Sequence, residues 1–434
     1  MKLYVKLLLA FLQKFRLIII LSVFLGLVIF LSVVYIFPKI NIYKTKTVGY
    51  VGRYTVDTLP FEISSMISSG LVKVNDNADI EPMISDSWQV DEDGKKWTFH
   101  INENIIWQNH KKFVASDVNY NFSDVEITKN EDSVTFTLNE PYIPFIVLLE
   151  KPIFKKGLMG VGEWRVDKLS IKGEYIQKLI LKNSGEKQII KFYPTEEQAK
   201  LAFKLGEIDI LKNVASQEPF SSWQNATIKQ NINLNQIVTL FINTDDPVLS
   251  DKNIRQALNY AIDKSSYISR AYSPINPDSF YFNPQVKSYD HDLERAKTLI
   301  EDSNAKIPDD YSIRLIASPN LLNIADEISN NWNELGIKSN VMVSSNIPDD
   351  YQVFITIFDT PKDPDRYSLW HSTQVSTNIT RYKNLRIDKL LEDGRVEQNK
   401  EERKKIYLDF QRYLVEDSPA IFLYHPIWYD IIRK

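Results

Sequence analysis

The 434-residue chain contains no cysteine. That absence removes disulfides, thiolate nucleophiles, zinc ribbons and iron–sulfur clusters together, along with the cysteine that joins many bacterial envelope proteins to lipid. Glycine is scarce, at 13 residues. The phosphate-cradling loop G-x-x-x-x-G-K-[ST] and the nucleophile elbow G-x-S-x-G are both missing. The glycine-rich "GLMGVGEW" (157–164) lacks the G-x-G-x-x-G spacing and reads as a turn. Only five histidines occur: His100, His110, His291, His371 and His425. No two of them stand at the close helical or strand spacing that metal sites use. The carboxylates are many, but no spacing brings two together as an acid–base pair. No catalytic residue, metal ligand or cofactor is therefore assigned, and the weight moves from enzyme to binding protein.

A basic stripe is lacking as well. Seven of the 52 Lys and Arg, and none of the 56 Asp and Glu, fall in residues 1–46. The remainder holds 45 basic against 56 acidic residues, a charge that phosphate would repel, so nucleic acid is excluded as a partner.

What the N-terminus does have is a long apolar run. Leu17 to Phe37 ("LIIILSVFLGLVIFLSVVYIF") carries no charge over 21 residues, enough to span roughly 30 Å of hydrocarbon. No small-residue cleavage site follows it, since Tyr35, Ile36, Phe37 and Pro38 stand there. The expectation is a basic cytoplasmic N-terminus (1–16), one transmembrane anchor (17–37), a linker (38–46) and a body outside the membrane. Lys2, Lys6, Lys14 and Arg16 set the orientation.

The body alternates strands and helices. "KKWTFHI" (95–101) and "DSVTFTL" (132–138) alternate apolar and polar residues as half-buried strands do, and Asp93-Gly94 marks a hairpin turn before the first. "TEEQAKLAFKLGEIDI" (195–210) predicts a helix stopped by Gly206 and then a strand. In "LSDKNIRQALNYAIDK" (249–264), Asp251 caps a helix whose buried face is Ile254, Ala257, Leu258, Ala261 and Ile262. Residues 312–318, 320–336 and 337–345 read strand, helix, strand, the order of a βαβ unit. A further strand (351–358), a long amphipathic helix (400–419) and a last strand (420–425) follow. These patterns describe an α/β protein of at least two lobes.

Several segments, in one order, resemble the family 5 extracellular solute-binding proteins, the oligopeptide- and dipeptide-binding components of ABC importers. "VTLFINTDDPVLSDKNIRQALNYAIDK" is similar to the signature segment through Asn243, Asp251, Ile254, Arg255, Gln256, Ala257, Leu258, Ala261, Ile262 and Asp263. Residues 81–122 resemble another segment through Ser87, Trp88, Asp93, Gly94, Trp97, Phe99, Trp107, Phe113, Ala115, Asp117 and Val118. "KLAFKLGEIDIL" (200–211), "YDHDLERAKTLIEDS" (289–303), "DPDRYSLWHSTQVSTNITRYKNLRIDKLLEDGR" (363–395) and "EERKKIYLDFQRYLVEDSPAIFLYHP" (401–426) extend the resemblance over about residues 48–426.

The resemblance implies a two-lobed periplasmic-binding-protein-like clamshell of class II type, preceded by the one transmembrane helix. The first lobe would span 47–236 with a trimmed β-rich subdomain at about 60–158. The second α/β lobe would span 237–426, and 427–434 would form a short C-terminal return. The implied function is capture of peptide-like or other small-molecule ligands by a tethered monomer and their delivery to an ABC permease. The alternative is a sensor or chaperone-like docking protein on the same scaffold. An aspartate that meets the ligand's α-ammonium falls in "FITIFDTPKDPD", at Asp359 or, because the spacing to Asp363-Pro364 is one residue long, at Asp363. Tyr367, Trp370 and Asn378 complete the ligand-binding candidates. The longer insertion usual after "DVNYNF" is missing, so the β-rich part is smaller than the family's pattern.

Overall fold

The structure is a computed structural model that describes residues 11, 13–31, 43–347 and 350–434. The helix Arg16–Leu31 has 16 residues and a length of about 24 Å. No helix among the described residues is long and apolar enough to cross a membrane. The rest of the expected anchor, 32–37, lies outside the described residues, as do most of the tail and linker.

The body begins with β1 (Lys44–Val51), the helix Phe61–Ile67 and a short antiparallel ribbon of β2 (Val72–Val74) and β3 (Ile80–Pro82). Then come β4 (Ser85–Val90), β5 (Lys96–Ile101), β6 (Val125–Lys129) and β7 (Ser133–Leu138), an antiparallel sheet in the order β4-β5-β7-β6. The β4–β5 hairpin turns at Gly94, whose φ of 69° suits a residue without Cβ. On β5, Trp97, Phe99 and Ile101 point inward and pack with Phe136 and Phe145 into the core of this β-rich unit. The chain returns through β8 (Arg165–Lys172), β9 (Tyr175–Lys182) and β10 (Glu186–Tyr193), then a helix, Glu196–Lys204, capped by Thr195. β11 (Ile210–Val214) and β12 (Ala226–Ile232) follow.

The second lobe is laid on β13 (Gln236–Ile242), β14 (Ile313–Ala317), β15 (Ser339–Val343), β16 (Val353–Asp359) and β17 (Ala420–Tyr424), in the order β15-β14-β16-β13-β17. β14 pairs in parallel with β15 across the helix Leu322–Glu334, which is the βαβ unit read from sequence. β13 reads as a near-continuous apolar run because helices cover both faces of the sheet, with Val238, Leu240 and Ile242 on one side and Ile237 and Phe241 on the other.

In the helix Lys252–Ala261, Asp251 Oδ1 accepts from Asn253 N at 2.8 Å. Arg255 is buried and spends its donors on the Asp417, Leu249 and Ser250 carbonyls, joining this helix to the end of Lys400–Asp417. These residues hold the lobe together.

The final strand, β18 (Ile427–Arg433), leaves the second lobe and inserts between β12 and β11 in the first. The first lobe's sheet thus has seven strands, β12-β18-β11-β1-β10-β9-β8. The chain crosses between lobes twice, at 233–235 and 425–426, and Asn233 N donates to Pro426 O at 2.9 Å so that the crossings run side by side. Far from them, the β-rich unit also touches the second lobe. Ile143 N donates to Arg395 O at 2.8 Å, Lys362 pairs with Glu150 at 3.4 Å, and Lys400 pairs with Asp79.

Candidate ligand cavity at the paired crossings

Two cavities compete for attention. The larger, about 660 Å³, is walled entirely by residues 56–158, so its lining comes from the first lobe alone. The second, about 580 Å³, sits where the lobes meet, and its volume is in the range of small-molecule sites. Val51, Tyr54, Glu196, Asn213, Ala215, Asn231, Ile232 and Trp428 line it from the first lobe, Asn233 from a crossing, and Gln236 and Asn320 from the second.

Local structure accounts for this polar lining. Asn231 and Trp428 are partners in the β12–β18 ladder, which places both beside the crossing. Asn213 has a φ of 54°, a left-handed conformation that Asn tolerates better than most residues, at the bulge where β11 leaves its register with β18. Glu196, in the first turn of its helix, accepts from Ala215 N at 2.9 Å and pairs with Lys200 at 2.7 Å. The Tyr54 hydroxyl donates to Val51 O at 2.9 Å, and burial pushes its pKa up, so it stays a neutral hydrogen-bonding group.

Gln236 organises the second-lobe side. The indole of Trp428 can only donate, and it donates to Gln236 Oε1 at 3.0 Å. That fixes the amide's orientation, and Gln236 Nε2 donates in turn to Asp359 Oδ1 at 2.8 Å. Gln236 and Asp359 are also register partners at the ends of β13 and β16. Below them, His425 Nδ1 lies 2.9 Å from the Gln236 carbonyl, and burial holds this histidine below its ordinary pKa of 6.5, so it stays neutral and donates there.

The structure separates the two aspartates left open by the sequence. Asp359 is exposed, and among the described residues no cation lies within ion-pair distance of it. Asp363 is buried, and Arg403 Nη1 and Nη2 donate to its two oxygens at 2.9 and 2.8 Å. Burial works against the charge of Arg403, yet the Asp363 carboxylate holds its pKa well above the usual arginine value. Both oxygens of Asp363 are therefore committed.

The other candidates stand in the framework of the second lobe. Tyr367 is sandwiched between His371, at 4.0 Å between ring centres, and the Arg395 guanidinium at 4.2 Å. Trp370 is fully buried against Phe241 and Phe422. Asn378 donates to Tyr382 O at 2.8 Å and accepts from Thr380 Oγ1 at 2.9 Å, shaping a turn. Sequence reasoning missed Tyr54, Asn213, Asn231, Gln236, Asn320 and Trp428. The one local signal was a polar residue, Gln236, heading an apolar strand next to a crossing.

Two α/β lobes joined by paired crossings, with a polar cavity against the joint, define a two-lobed solute receptor. Its sequence places it more closely. The model of the bacterial extracellular solute-binding proteins, family 5, matches residues 79–140 and 182–378, and the chain belongs to that family. It is a binding protein and not an enzyme. It is similar to the dipeptide-binding protein of Escherichia coli, at 21% identity over 82% of this chain and 83% of that one. Similarity to heme-binding protein A of Haemophilus influenzae is 22% over 81% and 80%. Among solved structures, NikZ from Campylobacter jejuni in complex with Ni(L-His) shares the fold with a TM-score of 0.71 at 24% identity, over 90% of this chain and 94% of that one.

Proposed function

We propose that the protein captures a peptide-like ligand in the cavity between its lobes and delivers it to an ABC permease. The observation that carries this reading is Asp359. Among the described residues it is a carboxylate with one neutral hydrogen-bond partner and no cation, at a strand end where that partner, Gln236, lines the polar inter-lobe cavity. An α-ammonium is the complement of such a group, and the pairing strengthens as the lobes exclude water. Relatives named for dipeptide and oligopeptide binding support the ligand class. Ligand selects the closed arrangement, which the permease then reads.

The uncharged run 17–37, with a basic segment before it, supports tethering by a single N-terminal helix, the body outside the cytoplasmic membrane as a monomer. Protease added to intact cells should digest the body and leave the N-terminal tail protected. For ligand capture, the full chain in detergent is titrated with tripeptides by calorimetry. Asp359→Ala should weaken binding by about 2–5 kcal/mol while the fold is kept. Unchanged affinity in that variant would remove Asp359 from the site.

A further inference from the structure

The sequence of the body shows no basic stripe, yet the fold assembles one. On β9, Leu179 and Leu181 face the first lobe's core, so Lys178, Ile180 and Lys182 face the other way. Register partners share a face. Lys182 stands between Arg165 of β8 and Lys187 of β10, Ile180 between Lys168 and Ile189, and Lys178 between Ser170 and Lys191. Six cations thus cover one face of three adjacent strands, in a body of 45 basic against 56 acidic residues. Asp167 pairs with Lys182 at 2.9 Å and Glu207 with Lys191 at 3.6 Å. Arg165, Lys168, Lys178 and Lys187 make no ion pair among the described residues. Like charges set directly opposite one another, as Lys178 and Lys191 are, repel and weaken the sheet. Ile180 and Ile189, partners at the centre, are the apolar surface that lysine stems cover while their ammonium groups reach outward.

This face lies where the chain arrives from its apolar run. Thr45 of β1 is the register partner of Lys187, and the Tyr43 ring lies 5.3 Å from Lys182 Nζ. Only six residues, 38–43, follow Phe37 up to this point, and an extended chain of that length reaches about 20 Å at most. Resting on the tethering proposed above, we propose that the basic face docks on the anionic phospholipid headgroups of the membrane that holds the anchor. Cations within a Debye length of an anionic bilayer, about 10 Å at 0.1 M salt, are drawn to it, and that attraction offsets their mutual repulsion. In the seven-strand order, β10, β9 and β8 form the edge away from β12 and β18, which lead into the crossings. Docking there fixes the first lobe and leaves the second free to move with ligand.

Because the chain has no cysteine, a single introduced one reports on position. Ser170→Cys marks the basic face, and Val375→Cys, at a site 87% exposed on the second lobe, is the reference. The full chain, with a donor dye on either cysteine, is reconstituted into phosphatidylcholine vesicles with or without phosphatidylglycerol, both holding a trace of acceptor-labelled lipid. Energy transfer from position 170 should rise about twofold or more with phosphatidylglycerol, and about 1 M salt should abolish the rise. Transfer from position 375 should change little. Lys168→Gln, Lys178→Gln and Lys187→Gln together should also abolish the rise while the thermal unfolding midpoint is kept, since none of the three makes an ion pair among the described residues. Equal transfer from position 170 in both lipids, with the chain retained through an alkaline carbonate wash, would overturn docking and leave tethering standing. Release of the chain by that wash would overturn the tethering reading and this inference with it. A rise that survives the triple substitution, or one equal at both positions, would overturn the assignment of this face.

Discussion

Replacing Asp363 by alanine separates framework from site. Asp363 and Arg403 keep only 12% and 4% of their side-chain surfaces exposed, and two parallel hydrogen bonds join them. Arg403 Nε is tied to Gly394 O at 2.7 Å, and its guanidinium lies within 5.4 Å of the Tyr281 and Tyr407 rings, so it cannot swing out to water. Asp363→Ala leaves that cation buried without its carboxylate, a change that costs about 3–5 kcal/mol. Urea unfolding followed by the fluorescence of Trp332 and Trp370, both in the second lobe, should read that loss. Affinity for trialanine amide, measured where the variant is folded, should stay within about twofold. Replacing both partners by apolar residues of similar size, Asp363→Leu with Arg403→Met, should cost less than either single change, because no charge is then stranded. The reasoning fails if Asp363→Ala costs under about 1 kcal/mol, or if it weakens ligand binding tenfold in a stably folded protein. Asp359→Ala should give the reverse pattern, with affinity lost and stability kept.

Two other measurements probe the scaffold. Asp251→Ala removes the cap of the helix Lys252–Ala261 together with a bond from Asn304 N at 2.9 Å, and should cost about 1 kcal/mol in equilibrium unfolding. His425 has a folded pKa below 6.5 because burial disfavours its charge, a shift that outweighs the opposing pull of Asp278. The unfolded chain therefore binds this proton first, and stability should fall as pH drops below about 6.5. His425→Gln, which keeps a donor for the Gln236 carbonyl but does not titrate, should flatten that part of the pH–stability curve relative to the parent.

Much of the scaffold was legible because local patterns encode local geometry. The alternation in residues 95–101 placed Trp97, Phe99 and Ile101 inside, and the helical spacing after Asp251 placed Ile254 and Leu258 on the buried face. The order of such segments was enough to indicate the family. The cavity was not legible in that way. Its walls come from residues as far apart as Val51, Asn231, Asn320 and Trp428, brought together by two crossings and a last strand that inserts back into the first sheet. Hydrogen-bond chains such as Trp428–Gln236–Asp359 leave no periodic trace, because each member is a single polar residue at a strand end.

The sequence by itself thus determined many elements of the body and the faces they bury, which rest on short-range spacing, and, through the order of its segments, the family to which the chain belongs. Only the tertiary structure gave Asp359 and Asp363 their different surroundings. Both are aspartates near a strand end, and what distinguishes them is Arg403, forty residues further on, whose guanidinium claims one carboxylate and leaves the other without a cation. Charge compensation inside a protein is settled by distance in space.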